Sequence, residues 1–167
     1  ESFGFGWSDT TACHVYTLAD IHPFLETEIQ RRGAGHAGVD WHFCRPPVEG
    51  LDLRHHYGLH QSPAIRANGL VFCSGMVAVN PQTGDREHGT VSSEARRIFA
   101  NLDLLLRAAG SSLDRLVQVH AMLYDRIEYD VLNRTYRQFV PNGPPARTVW
   151  SVKIESGFKV QLDVIAV

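Results

Sequence analysis

Arg147 follows two prolines and an alanine in "NGPPARTVW" (residues 142–150), where an alternating apolar segment begins. A guanidinium there suits a carboxylate, because it stays charged and its planar fork donates two parallel hydrogen bonds. Gln161 and Asp163, in "VQLDV", alternate with Leu162 and so project to one side of a strand. Two residues apart on such a strand, their side chains are displaced by about 6.6 Å along it. Along residues 146–154, Ala146, Thr148, Trp150, Val152 and Ile154 share one face, and Arg147, Val149, Ser151 and Lys153 share the other. The apolar set is expected to carry the helices, with Arg147, Gln161 and Asp163 facing away. On spacing alone, an ion pair between Arg147 and Asp163 is the simpler expectation, and ligand binding is the alternative.

Two other groups of reactive residues carry less. His55, His56 and His60 cluster in "RHHYGLH", but Gly58 opposes the helix that would bring His56 and His60 to one face. The segment reads as a solvated linker, and no metal is expected. Cys13, Cys44 and Cys73 are odd in number, lack close pairing and sit among apolar neighbours, which predicts buried thiols.

The elements that must position these residues come from a chain of 167 residues, 44% hydrophobic and 20% charged. That suffices for one core, with or without an appendage, in a soluble globular protein. A formal charge of -2 offers no field to gather nucleic acid or an anionic membrane. No apolar stretch approaches the roughly 20 residues that span a bilayer, and the N-terminus lacks signal-peptide character. A cytoplasmic location is expected. Because the chain starts at Glu1, an upstream segment is expected to be missing.

From residue 62 onward the periodicity is clear. Leu70 to Val79 reads as a strand ended by the turn "NPQTGD". Ser92 and Ser93 can cap a helix whose Ala95, Ile98, Phe99, Leu102, Leu105 and Leu106 form one stripe, ended before Gly110. "VQVHAML" reads as a strand, Asp130 to Phe139 as a helix stopped by "PNGPP", and two strands close the chain.

The segments "SPAIRANGLVFCSGMVAVNPQTGD", "NLDLLLRAAGSSLDRLVQVHAML", "VLNRTY" and "PPARTVWSV…VQLDVIAV", in that order, resemble the Rid proteins, or YjgF-like imine deaminases. The resemblance spans residues 62–167. It implies an α+β domain of the chorismate mutase-like class, a mixed sheet packed on two helices. It also implies a trimer with clefts between neighbouring subunits and no cofactor. Arg147 then holds the carboxylate of a small 2-imino acid while water attacks the imine carbon. Asn133 matches a polar position near the cleft, Ser74 and Gly75 match the loop lining the pocket, and Val149 is counted with them. Two departures stand out. Gln161 occupies the place of a water-positioning glutamate, and Ala64 that of a tyrosine common over the substrate.

The N-terminal third echoes the later chain. "CHVYTLADIHPFLETEIQRRG" repeats the strand-then-helix order of "VHAMLYDRIEYDVLNRTYRQF", and "GVDWHFCRPPVEGLDL" that of "RTVWSVKIESGFKVQL", aligning Trp41 with Trp150. The expected division is a β-α-β-β half unit at 1–55, with a helix between Asp20 and Gly33, then a linker at 56–61 and the Rid-like domain at 62–167. Gly38 falls opposite Arg147 and Asp52 opposite Gln161, so the half unit lacks the carboxylate anchor. A missing first half is expected from an upstream segment, a partner chain or subunit exchange.

The leading expectation is hydrolysis of a small imino or enamine acid to a keto acid and ammonia by a homo-oligomer, a trimer or pseudo-trimer. Arg147 would anchor, and Gln161 with Asp163 would position water. Alternatives are a specialised-metabolism enzyme on a larger carboxylated substrate such as chorismate, and a non-catalytic metabolite-binding or assembly module. No nucleic acid and no membrane partner is expected.

Overall fold

The computed structural model describes residues 41–44, 46–52 and 56–167. The expected helix between Asp20 and Gly33, with Cys13 and His55, lies outside the described residues. The chain divides into compact units at 1–38 and Val39–Val167. In the second unit the strands are β1 (Trp41–Cys44), β2 (Ala64–Ala67), β3 (Leu70–Met76), β4 (Leu116–Leu123), β5 (Ala146–Ser151) and β6 (Val160–Ala166). Helices α1 (Val91–Ala108) and α2 (Tyr129–Phe139) flank β4 in sequence. The strands form one six-stranded sheet in the order β1-β2-β3-β6-β4-β5. Only β4 and β5, joined through α2, run parallel among these neighbours. This is the α+β, mixed-sheet class expected.

Helix α1 starts one residue before the serines expected to cap it. Thr90 is the N-cap: its hydroxyl accepts from the Ser93 N–H at 3.2 Å, and Ser93 Oγ accepts from the Thr90 N–H at 2.9 Å. This reciprocal pair satisfies two amides that the first turn cannot. The predicted stripe, Ala95, Ile98, Phe99, Leu102, Leu105 and Leu106, is fully buried. Phe99 stacks on Phe139 at 4.8 Å and meets the edge of Tyr136 at 5.5 Å, which ties α1 to α2.

Beneath these helices, Val160, Leu162, Val164 and Ala166 of β6 join Val119, Ala121 and Leu123 of β4 in the core. Glu94 is the charged exception, 1% exposed. Its carboxylate accepts from the Gly89 N–H at 3.1 Å, the Lys159 N–H at 2.7 Å and the Val160 N–H at 3.2 Å. It thereby pins the first turn of α1 to the start of the strand carrying Gln161.

Cys44 and Cys73 are buried, as expected. Burial pushes the Cys73 thiol up to about 12, with Cys44 and Asp163 adding to the rise. It therefore remains a neutral core group.

Two local expectations differ. The strand expected after "RPP" is replaced, among the described residues, by a 3-10 turn at Glu49–Leu51. A Cβ on Gly50 would lie 2.5 Å from the Pro81 carbonyl oxygen, so the backbone lies directly on the loop after β3 and buries Leu51. Residues 56 and 57, expected in a solvated linker, are also held: the Tyr57 hydroxyl donates to the Gly84 carbonyl at 2.6 Å.

The third difference concerns the faces of β5. Parallel pairing sets Arg147 beside Val119, Val149 beside Ala121 and Ser151 beside Leu123. Paired residues project to the same side, and those β4 residues are core. Arg147 and Val149 therefore face the helix side, while Trp150 lies on the open face, its ring 5.1 Å from His120. Alternation alone assigns the opposite face because β5 is an edge strand whose apolar residues, Trp150 among them, lie on the open face.

Candidate functional site

Arg147 is set by the first residues of β5 and the exposed end of α2. One Nη donates to Asn133 Oδ1 at 2.6 Å and to the Tyr129 hydroxyl at 3.4 Å. Its Cζ stands 4.6 Å from the Tyr136 ring centroid and 5.9 Å from that of Tyr129. Tyr129, Asn133 and Tyr136 recur at helical spacing, so α2 offers one face as a cradle. Burial raises the Tyr136 phenol above its ordinary value, against the lowering influence of Arg147, which keeps it neutral. The remaining guanidinium donors make no hydrogen bond among the described residues, and Arg147 borders an open cavity of about 500 Å³ that Pro144 and Pro145 also line. A half-buried guanidinium with in-plane donors left over has the geometry to receive a carboxylate.

Gln161 lies elsewhere. It borders a cavity of about 240 Å³ with Gly75, Tyr57, Arg86, Ser156 and Phe158. A Cβ built on Gly75 would collide with the Gln161 amide nitrogen, so the absence of a side chain at Gly75 leaves room for Gln161 to lie as it does. The β3–β6 register shifts between Cys73 and Met76, which aims that short stretch out of the regular ladder. Ser74 adjoins it, its hydroxyl donating to the Ser62 carbonyl at 2.6 Å.

The sequence reading thus splits into two stations. Met122 of β4 pairs with both Gln161 and Trp150, and Val119 pairs with Arg147. Within one chain, Arg147 and Gln161 are therefore about 10 Å apart along the strands, about 10 Å across them and on opposite faces. Arg147, Asn133 and Val149 belong to one station, and Ser74, Gly75 and Gln161 to the other.

Asp163 stands on the open face with Gln161 and bonds His120 Nδ1 at 2.8 Å, so the ion pair with Arg147 that spacing alone favoured is not formed. Ala64 does not line either cavity. It is fully buried and pairs with Cys73, itself core, so its side chain points under the helices. Tyr129, Tyr136, Tyr57 and Arg86 also line the two stations and are not among the residues expected from sequence. The i, i+4, i+7 spacing of Tyr129, Asn133 and Tyr136 was the available signal for the first two.

Residues 56–167 match the family model described as endoribonuclease L-PSP. The chain belongs to that family. Residues 1–56 match a second model, described as 2-aminomuconate deaminase. Among curated relatives of this L-PSP, or Rid, member, the mitochondrial protein mmf1 of Schizosaccharomyces pombe is 36% identical over 107 residues, 62% of this chain and 65% of that protein. The matched stretch thus spans slightly less than two thirds of mmf1. A mouse protein named 2-iminobutanoate/2-iminopropanoate deaminase is 29% identical over 64% of this chain and 79% of its own. An endoribonuclease L-PSP structure from Entamoeba histolytica superposes with a TM-score of 0.69 at 28% identity, covering 76% of this chain and 98% of that one. E. coli TdcF with bound serine follows at 0.60 and 26%, covering 64% and 87%. Rid relatives thus include proteins named deaminases. No helix among the described residues of this Rid chain is long and apolar enough to cross a membrane.

Proposed function

We propose that this chain hydrolyses a small 2-imino or enamine acid to a 2-keto acid and ammonia, at a cleft completed between two copies. The observation that carries the reading is the guanidinium of Arg147, held by Asn133 and stacked on Tyr136 with donors left over beside an open cavity. The names of the mouse deaminase and of the model matching residues 1–56 support deamination. Serine bound to TdcF supports a ligand of amino-acid size.

The chemistry asks little of the protein. An enamine first shifts a proton from nitrogen to carbon and becomes an imine. Water adds to the C=N carbon, its proton passes to nitrogen, and the tetrahedral adduct expels ammonia as C=O forms. Arg147 fixes the carboxylate and so the position of the adjacent carbon. Gln161 orients the water, and the proton transfers go through solvent because an amide cannot accept them. Asp163 is engaged by His120 and takes no part in these transfers.

One substrate can touch both Arg147 and Gln161 only if two copies meet. The open sheet face supports such a meeting, since Phe72 and Trp150 are 40% and 45% exposed on it. A trimer, a cytoplasmic location and a half Rid-like unit at 1–55, whose β1 joins the six-stranded sheet, belong to this proposal.

The test is ammonium release from freshly generated 2-iminopropanoate and 2-iminobutanoate. Release well above the buffer rate, and proportional to protein, is expected. A rate equal to buffer on both, and on 2-aminomuconate, would leave the chain as a binding module.

A further inference from the structure

We propose that Arg86, in the pocket that holds Gln161, is the residue that anchors the far carboxylate of a dicarboxylic enamine, the kind of substrate named by the model matching residues 1–56, and so sets preference for it over monocarboxylic imines. This rests on the deaminase reading and assigns a specificity-determining residue to it.

The Gln161 pocket has one cation among its described lining residues, Arg86. Its backbone is fixed by an isolated antiparallel bridge to Val79, and the next residue, Glu87, donates its N–H to the Ala78 carbonyl at 2.9 Å. The guanidinium lies over the Tyr57 ring, Cζ to centroid 4.8 Å, and Tyr57 is itself tied down through its hydroxyl to Gly84. Stacking engages the flat face of a guanidinium and leaves its N–H edge for a carboxylate. The immobilised ring also lowers the entropy lost when that edge binds.

Other arginines show what an ordinary structural role looks like. Arg97 pairs with Glu87 and Arg107 with Asp103. Arg86 has no ion pair among the described residues, although the exposed Glu155 borders the same pocket. Beside Glu155, Ser156 holds φ at 61°, a left-handed conformation that a residue with a Cβ seldom adopts. Such strain kept at a pocket rim is a mark of a functional surface. The consequence is a site with two fixed positive groups. Arg147 of one copy takes the carboxylate beside the reacting carbon, and Arg86 of the copy that supplies Gln161 takes the far one. A monocarboxylic imine would use only the first.

The experiment compares kcat/KM for 2-aminomuconate, a dicarboxylic enamine, with that for 2-iminobutanoate, in the native chain, Arg86→Ala, Arg86→Lys and Arg147→Ala. Muconate and crotonate serve as unreactive inhibitors. Arg86 is exposed, so its variants are expected to melt as the native chain does. Arg86→Ala should lower the dicarboxylate-to-monocarboxylate ratio about 10- to 100-fold, mainly through KM, and weaken muconate but not crotonate inhibition. Arg86→Lys should recover part of it. An unchanged ratio, with Arg147→Ala still losing both substrates, would overturn the second anchor and leave the deaminase reading standing. Full activity of Arg147→Ala on both would overturn that reading itself, and this inference with it.

Discussion

Arg147→Ala is expected to lower kcat/KM for imine hydrolysis about 100- to 1000-fold without loosening the fold. A bidentate charged contact is worth about 3 to 4 kcal/mol when its donors are pre-positioned, and that difference enters the transition state directly. The positioning is visible in the structure. Asn133 holds one Nη at 2.6 Å and the Tyr136 ring supports the guanidinium at 4.6 Å, so little freedom remains to be lost on binding. The fold should tolerate the change because Arg147 lies on an edge strand, half-buried, and the group it leaves behind, Asn133 Oδ1, borders an open cavity where water can replace it. Arg147→Lys should recover only a minor part, since an ammonium cannot reproduce the fork. Steady-state ammonium release, with a thermal melt as control, checks this. A native melting curve with undiminished kcat/KM would remove Arg147 from the site.

Glu94→Ala is expected to cost about 3 to 5 kcal/mol of stability, on the order of 15 °C in Tm. The carboxylate is 1% exposed and accepts from three backbone amides, Gly89, Lys159 and Val160. Alanine would leave those donors buried without an acceptor, which costs far more than an exposed ion pair. Two of them open β6, so the variant should also displace Gln161 and lose activity in proportion to its unfolding. Glu94→Gln keeps one acceptor oxygen and places a donor against a donor, so its loss should be intermediate. Urea unfolding measures both. A change below about 1 kcal/mol for Glu94→Ala would mean that water or another side chain takes over those amides.

Most elements were legible because their burial is one-sided. The stripe from Ala95 to Leu106 and the alternation from Val160 to Ala166 each have a single apolar face, and both lie where the period places them. Thr90 was overlooked as a cap because Ser92 and Ser93 are equally good in isolation; the geometry, with Ser93 as the reciprocating third residue, decides between them. The face of β5 could not be read from β5. Its apolar residues, including Trp150, line a sheet face that is open in the single chain, and only the register with Val119 and Ala121 reveals which side Arg147 takes. Arg86 and Tyr57 were illegible for a different reason. The loop after β3 brings them together across 29 positions in sequence, and no local pattern signals that meeting.

That separation of Arg147 from Gln161 within one chain makes the shared cleft directly testable. The decisive measurement is ammonium release from 2-iminobutanoate by Arg147→Ala alone, Gln161→Ala alone, and the two co-refolded in equal amounts. Each variant alone should be nearly inactive, because every cleft lacks one group. The mixture should regain a substantial fraction of native activity, since a cleft joining Arg147 of one variant to Gln161 of the other is intact. A mixture as inactive as its components, beside an active native chain and with mixed oligomers shown to form, would contradict a site shared between copies.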